Sequence, residues 1–197
     1  MNKKELQRQE SNKRIVDAAV VEFSKNNYQV ATLTDIAIRA DVSKGLVTLR
    51  FGSKAGLFLE LMTVVCEKEL EFPDNKVDSF DEAVLEVVAY SKYLAKEKPM
   101  IAKLLYRFLD CIDYIPEDSR EVMRDHVMSY KVADHFVAAA KAGKINKHFD
   151  AYSALCFFMS NCLSISIATV NAEVDFLEDE NYLFMLPLIL NPKKKKK

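Results

Sequence analysis

Within twelve residues the chain sets Ser43, Lys44, Gly45, Thr48, Arg50 and Lys54. No nucleophile with a base, metal triad or phosphate-cradling glycine loop accompanies them, so bond-breaking chemistry is not what they suggest. They offer hydrogen-bond donation to anionic oxygen and to base edges. A serine that opens a helix caps it and leaves backbone N–H groups pointing outward at an anion. Gly45 lets another surface approach that backbone, and Lys44 reaches a guanine edge or a phosphate. Thr48 bonds a phosphate or touches a thymine methyl, and Leu46 supplies an apolar contact of the same sort. Arg50 either holds a phosphate or lies on a solvated face. Each also has an ordinary reading, because Thr32, Ser43 and Ser53 cap helices with or without a partner and an exposed lysine is commonly just hydrated.

Such donors need short helices to carry them. A first helix is expected from about Leu6 to Ser24, with Ile15, Ala19 and Phe23 forming one apolar stripe and Asn26-Asn27 ending it. Thr32 is a good N-cap, and Asp35 three residues on makes a weaker capping box. The second helix carries Leu33, Ile36, Ala37 and Ala40 on one face and stops near Asp41-Val42-Ser43. A third runs from Lys44 to about Phe51 and ends at Gly52, suited to the left-handed conformation past a helix end. Ser53 caps a fourth, Lys54 to about Leu70, bearing Leu57, Phe58, Leu61 and Val65. Two short helices, a three-residue turn, small Ala37 at the crossing, and Val42 and Val47 turned inward are the elements of a helix-turn-helix. The same spacing also occurs in other two-helix hairpins.

Past Pro73-Asp74-Asn75, helices are expected at about Ser79–Glu97, Pro99–Ile112, Glu117–Lys141, Phe149–Glu173 and Phe176–Leu190, with Pro99 and Pro116 at helix starts. With 4 Gly and 5 Pro in 197 residues and no alternating strand, the fold class is all-α with about nine helices. The net charge of −1 hides an asymmetry: residues 1–56 hold ten Lys/Arg against six Asp/Glu, the remainder eighteen against twenty-three. Only the basic head suits a polyanion. Five of the eighteen are the lysine tail Lys193 to Lys197, read as a solvated end. Cys66, Cys111, Cys156 and Cys162 lack zinc or disulfide spacing, and the charged first residues lack the pattern of a signal peptide, so a reducing cytoplasm is expected. Ala154 to Val170 is interrupted by Ser160, Asn161, Ser164, Ser166 and Thr169, falls short of the ~20 residues of a membrane span, and reads as a buried helix. His126, His135 and His148 are not spaced as a metal site and are read as solvated or structural; no cofactor or metal is expected. Cys156 and Cys162, at i, i+6, lie on different faces of one helix and cannot bond to each other.

From Arg14 to Met62 the run RIVDAAVVEFSKNNYQVATLTDIAIRADVSKGLVTLRFGSKAGLFLELM closely resembles the DNA-binding domain of the TetR family of bacterial regulators. The landmarks are Arg14-Ile15, Ala18-Ala19, Phe23, Tyr28, Thr32, Asp35-Ile36-Ala37, Val42-Ser43-Lys44-Gly45 and Phe51-Gly52-Ser53-Lys54-Ala55. Two positions depart from the family. Asp41 stands where the turn usually has Gly, and Asp tolerates a left-handed backbone better than most residues. Leu46, Thr48, Leu49 and Arg50 stand where the family places Thr and a pair of aromatic or His residues, so the phosphate-clamping tyrosine is missing. The resemblance implies DNA contacts from Thr32, Thr34, Ser43, Lys44, Gly45, Leu46, Thr48, Leu49, Arg50 and Lys54. Ile15, Ala19, Phe23, Tyr28, Leu33, Ile36, Val47 and Phe51 are assigned to core.

The expected organisation is a three-helix head at 1–53, a connecting helix at 54–72, a ligand-binding and dimerisation domain at 73–192 and the tail at 193–197. In the resembled family the second domain binds a small effector and dimerises through its last two long helices. Tyr90, Tyr93, Leu104, Phe108, Cys111, Met128, Phe158 and Cys162 are the candidate lining, although a soft lining and an ordinary core use the same residue types. Ala154, Ser160, Ser164, Ser166 and Ala168 suit close helix packing; with Phe176, Leu177, Leu183, Phe184, Leu186 and Leu188 they could form a four-helix dimer interface. The expected function is a non-enzymatic, homodimeric transcription regulator, a repressor released from a palindromic operator by a small apolar or amphipathic effector. The alternative is an architectural or cell-cycle DNA-binding protein that uses the same head without an effector.

Overall fold

The structure, a computed structural model, describes residues 2–26, 28–68, 77–108, 115, 117–175 and 177–191. Helix α1 spans Lys3–Lys25 and begins three residues before its apolar stripe predicts, because Asn2 caps it by accepting from the Lys4 amide at 3.4 Å. Helix α2 spans Leu33–Arg39, with the Thr32 hydroxyl accepting from the Asp35 amide at 3.1 Å and donating to its carboxylate at 2.6 Å. Helix α3, Lys44–Phe51, is capped by Ser43, whose Oγ accepts from the Leu46 amide at 3.1 Å. Helix α4, Lys54–Lys68, has Ser53 Oγ accepting from the Gly56 amide at 3.0 Å.

Helix α5 is Phe80–Glu97, α6 Pro99–Phe108, α7 Glu117–Met128, α8 Lys131–Lys141 and α9 Ala151–Asn171. The last segment holds α10 (Asp179–Tyr182), a 3-10 turn at Leu183–Met185 and α11 (Leu186–Ile189). Among the described residues there is no strand, only an isolated antiparallel bridge between Ile145 and Leu190.

Two helices expected as continuous are broken. The stretch 117–141 divides at Ser129-Tyr130, where Tyr130 turns extended with ψ 144°. There the Ser129 hydroxyl donates to the His126 carbonyl at 2.6 Å, and the Tyr130 hydroxyl lies 2.9 Å from His126 Nε2. No Gly or Pro marks that break in the sequence. The last helix is interrupted before Pro187, which has no N–H to donate and whose ring crowds the carbonyl four residues back, so the chain tightens through Leu183–Met185. Helix α9 has 21 residues and lies within the expected Phe149–Glu173; by length and a mean hydropathy of 1.6 it could cross a membrane, yet seven of its residues are buried inside the fold.

The chain divides into two compact units, Met1–Glu71 with Lys103–Arg120, and Phe72–Ala102 with Glu121–Lys197. Helices α6 and α7 contribute residues to both. In the first, α1 packs on α2 and α4, and α3 packs on α2 and α4. Its core holds Ile15, Phe23, Ile36, Val47, Leu57, Phe58 and Leu61, with the Phe23 and Phe58 rings edge-on at 5.0 Å. Leu33 and Phe51, assigned to core, are only half-buried. In the second, α5, α8 and α9 pack on one another around Val84, Val88, Phe136, Leu155, Phe158, Cys162 and Tyr182. Asp150 caps α9, and its carboxyl is held below the ordinary carboxylate value chiefly by the Ser153 amide that donates to it at 2.7 Å. Cys111, Phe176, Pro73-Asp74-Asn75 and the lysine tail, with the side chains of Cys66 and Phe108, lie outside the described residues.

Candidate nucleic-acid interface

The turn between α2 and α3 closes through backbone bonds from Val42 N to the Ala37 carbonyl at 3.0 Å and from Asp41 N to the Ile38 carbonyl at 3.2 Å. That pairing requires a left-handed residue just past the helix, and Asp41 supplies it at φ 53°. The turn therefore holds without the usual glycine. Asp41 also lies 3.8 Å from Arg14 Nη1 of α1.

Helix α3 has one inward position that is fully buried, Val47 at 0% exposure. At 100° per residue, Gly45 and Leu49 fall on the side away from it and Thr48 on its flank; these three and Lys44, at the first position of the helix, are all exposed. Leu46 lies at the flank, half-buried. The Lys44 ammonium has no partner among the described residues, whereas the Thr48 hydroxyl donates back to the Lys44 carbonyl at 3.2 Å and can turn outward to an acceptor. Thr34, in the first turn of α2, is exposed as well. The structure thus brings Thr48, Lys44, Gly45 and Leu49 onto one outward surface around a capped helix start.

Three expected contacts sit differently. Lys54 Nζ donates to the carbonyls of Tyr28 at 2.7 Å, Gln29 at 3.3 Å and Ala31 at 3.1 Å, and stands 4.5 Å over the Tyr28 ring. An ammonium has three protons, and all three are occupied. In this geometry Lys54 ties the start of α4 to the chain entering α2. Thr32 likewise has both hydroxyl functions engaged with Asp35. Arg50 is half-buried, with Nε buried and without a hydrogen-bond partner among the described residues.

Two positioning features were not singled out from sequence. Glu22 of α1, only 7% exposed, accepts from Arg39 Nε of α2 at 2.6 Å and from Asn26 Nδ2 at 3.2 Å. Its signal was present, since a glutamate three residues after Ala19 falls on the apolar stripe. Gly56 has no such signal. A Cβ there would lie 2.2 Å from the Phe51 carbonyl oxygen, so only glycine lets the first turn of α4 come this close to the end of α3.

The candidate effector residues are not gathered into one lining. Phe158 and Cys162 are at 0% exposure inside the second unit, Met128 packs against the same cluster, and Tyr90 is buried. Tyr93 faces outward at 46% exposure, its ring stacked 6.1 Å from that of Tyr90. Leu104 belongs to the first unit, and Cys111 and the Phe108 side chain lie outside the described residues. Burial pushes the thiols up, Cys156 to about 11 and Cys162 to about 12, so both are neutral and unreactive near pH 7. His135 Nε2 lies 3.0 Å from the Val77 carbonyl, and no group of three metal-binding side chains occurs among the described residues.

Residues 15–61 match the family model for bacterial regulatory proteins of the tetR family. No curated protein matches the chain in sequence. Similar solved structures include a chain from Shewanella sp. PV-4 assigned to the tetR-family transcription regulators, with TM-score 0.68 and 13% identity over 92% of this chain and 99% of that one. NalD, the secondary repressor of the MexAB-OprM multidrug efflux pump of Pseudomonas aeruginosa, has TM-score 0.56 and 15% identity over 95% and 99%. TylP, a tetR regulator from Streptomyces fradiae, has TM-score 0.57 and 17% identity over 92% and 87%. The all-α chain therefore carries a tetR-family DNA-binding head at its N-terminus and has the fold of the solved tetR-family regulators.

Proposed function

We propose that the chain is a homodimeric, sequence-specific transcription regulator, a repressor that leaves a palindromic operator when a small apolar or amphipathic effector binds its second unit. The observation that carries the reading is α3, where a Ser43-capped helix start presents Lys44, Gly45 and Thr48 as exposed residues while Val47 anchors the helix in the core. Donors so arranged on a rigid two-turn helix suit the major groove, and the +4 charge of residues 1–56 favours a phosphate backbone around it. Thr34 joins these donors at the edge. That a protein of the same fold is named as a repressor supports the direction of regulation.

Pairing is supported by exposed Val170 and Val174 at the end of α9 and exposed Leu177, Phe184 and Leu188 in the C-terminal segment, apolar surface that a two-fold mate would cover. Two recognition helices about 34 Å apart then read successive major grooves. For the effector, Met128, Phe158 and Cys162 form a soft interior of the kind that re-packs around a small apolar molecule.

The test is a competition gel shift against random DNA, using a duplex enriched from a random library by the full chain. The wild type discriminates strongly and binds as two chains per duplex, while Lys44→Ala with Thr48→Ala loses discrimination and keeps its helical circular dichroism. Unchanged discrimination in the double variant, or one chain per duplex, would overturn the reading.

A further inference from the structure

Leu49 is the most exposed large apolar residue among those described, at 79%. It follows Val47 by two positions, which is about 200° around a helix, so it points almost directly away from the core. Nothing in the fold of the first unit uses it. Packing would have turned it inward, and a leucine left in water on a two-turn helix adds nothing to solubility.

Its surroundings narrow what can cover it. Gly45 shares its face, Thr48 is adjacent in the chain, exposed Lys44 stands at the start of the same two-turn helix, and the first 56 residues carry a net charge of +4. An apolar protein surface broad enough to cover this helix start would desolvate the Lys44 ammonium without a counter-charge, which is costly. A nucleic-acid duplex meets both demands, because its phosphates neutralise the cations and its major groove has one apolar group, the C5 methyl of thymine. Leucine has no hydrogen-bonding atom in its side chain, so it can hold neither a phosphate nor a polar base edge.

We infer that Leu49 reads thymine C5 methyls in the major groove, so that the sequence this chain selects is set partly by methyl contact and not by hydrogen-bonding edges alone. The inference rests on the DNA-binding reading above. Half-buried Leu46 borders the same surface and widens the apolar strip. The three-position pattern Leu46, Thr48, Leu49 thus presents methyl groups to the duplex where a polar pair would present donors.

Uracil differs from thymine only in lacking that methyl, and it pairs and hydrogen-bonds alike. The experiment enriches a duplex from a random-sequence library with the full-length chain. It then measures affinity by fluorescence anisotropy for that duplex and for a copy with every thymine replaced by uracil, using wild type and Leu49→Ala. Each methyl lost from contact is expected to weaken wild-type binding about fourfold, the ratio that ~0.8 kcal/mol per buried methyl implies. Leu49→Ala should bind thymine and uracil duplexes almost equally, and because Leu49 is exposed the variant keeps its helical circular dichroism. If no sequence is enriched, the DNA-binding reading itself fails. If a sequence is enriched but uracil does not weaken wild-type binding, or weakens wild type and Leu49→Ala equally, the assignment to Leu49 is overturned while the DNA-binding reading stands.

Discussion

Replacing Lys54 with Met keeps the length and most of the volume of the side chain and removes only the ammonium. Three carbonyls, those of Tyr28, Gln29 and Ala31, then lose a charged donor, and the Tyr28 ring loses the cation 4.5 Å above it. The Gln29 contact is long at 3.3 Å and exposed, so it contributes little. The other two, at 2.7 and 3.1 Å, are partly buried. At ~1.5–3 kcal/mol for each bond to a charged group, and with part of the loss offset by the mobility that an untethered side chain regains, the net cost is about 3 kcal/mol. Equilibrium urea unfolding followed by circular dichroism measures it. If the ammonium served instead as a phosphate contact, Lys54→Met would leave stability within about 0.5 kcal/mol of wild type and reduce the slope of log affinity against log salt by ~0.9. That pair of results would refute the structural role argued for Lys54.

Gly56→Ala places a Cβ 2.2 Å from the Phe51 carbonyl oxygen and should destabilise by ~1–3 kcal/mol in the same assay, as overpacking against backbone does. Glu22→Gln keeps the shape of the α1–α2 link but removes the charge facing Arg39, at a cost of ~1–3 kcal/mol read from the urea midpoint. Because burial raises the folded-state values of Cys156 and Cys162 to about 11 and about 12, the unfolded chain releases those protons first as pH rises. Stability should therefore fall from about pH 9 upward, at ~1.4 kcal/mol per pH unit for each thiol until its folded value is reached. Iodoacetamide at pH 8 should label neither thiol in the native protein within the time that it labels both in urea.

Much of the head was legible because its signals are local. Thr32, Ser43 and Ser53 each cap within three residues, Gly52 ends α3 at φ 71°, and Asp41 adopts the left-handed turn expected of it at φ 53°. The body was less legible. The break at Ser129-Tyr130 depends on how Tyr130 meets His126, and the 3-10 turn before Pro187 shows how far that proline reaches back, neither of which periodicity records. Tyr93 and Tyr90 looked alike as aromatic residues of one helix, yet only Tyr90 is buried, because burial is decided by the neighbouring helices and not by residue type.

By itself the sequence determined an all-helical chain with a basic capped head, since charge, caps and apolar period act between residues close along the chain. Only the tertiary structure decided what each candidate residue is free to do. Lys44 and Lys54 are the same residue type at two helix starts, and each was expected to bind DNA. Folding leaves Lys44 exposed and without a partner among the described residues, and brings the carbonyls of Tyr28 and Ala31, more than twenty positions away, onto Lys54. An ammonium binds whatever acceptors the fold brings within about 3 Å, and sequence spacing does not show which those will be.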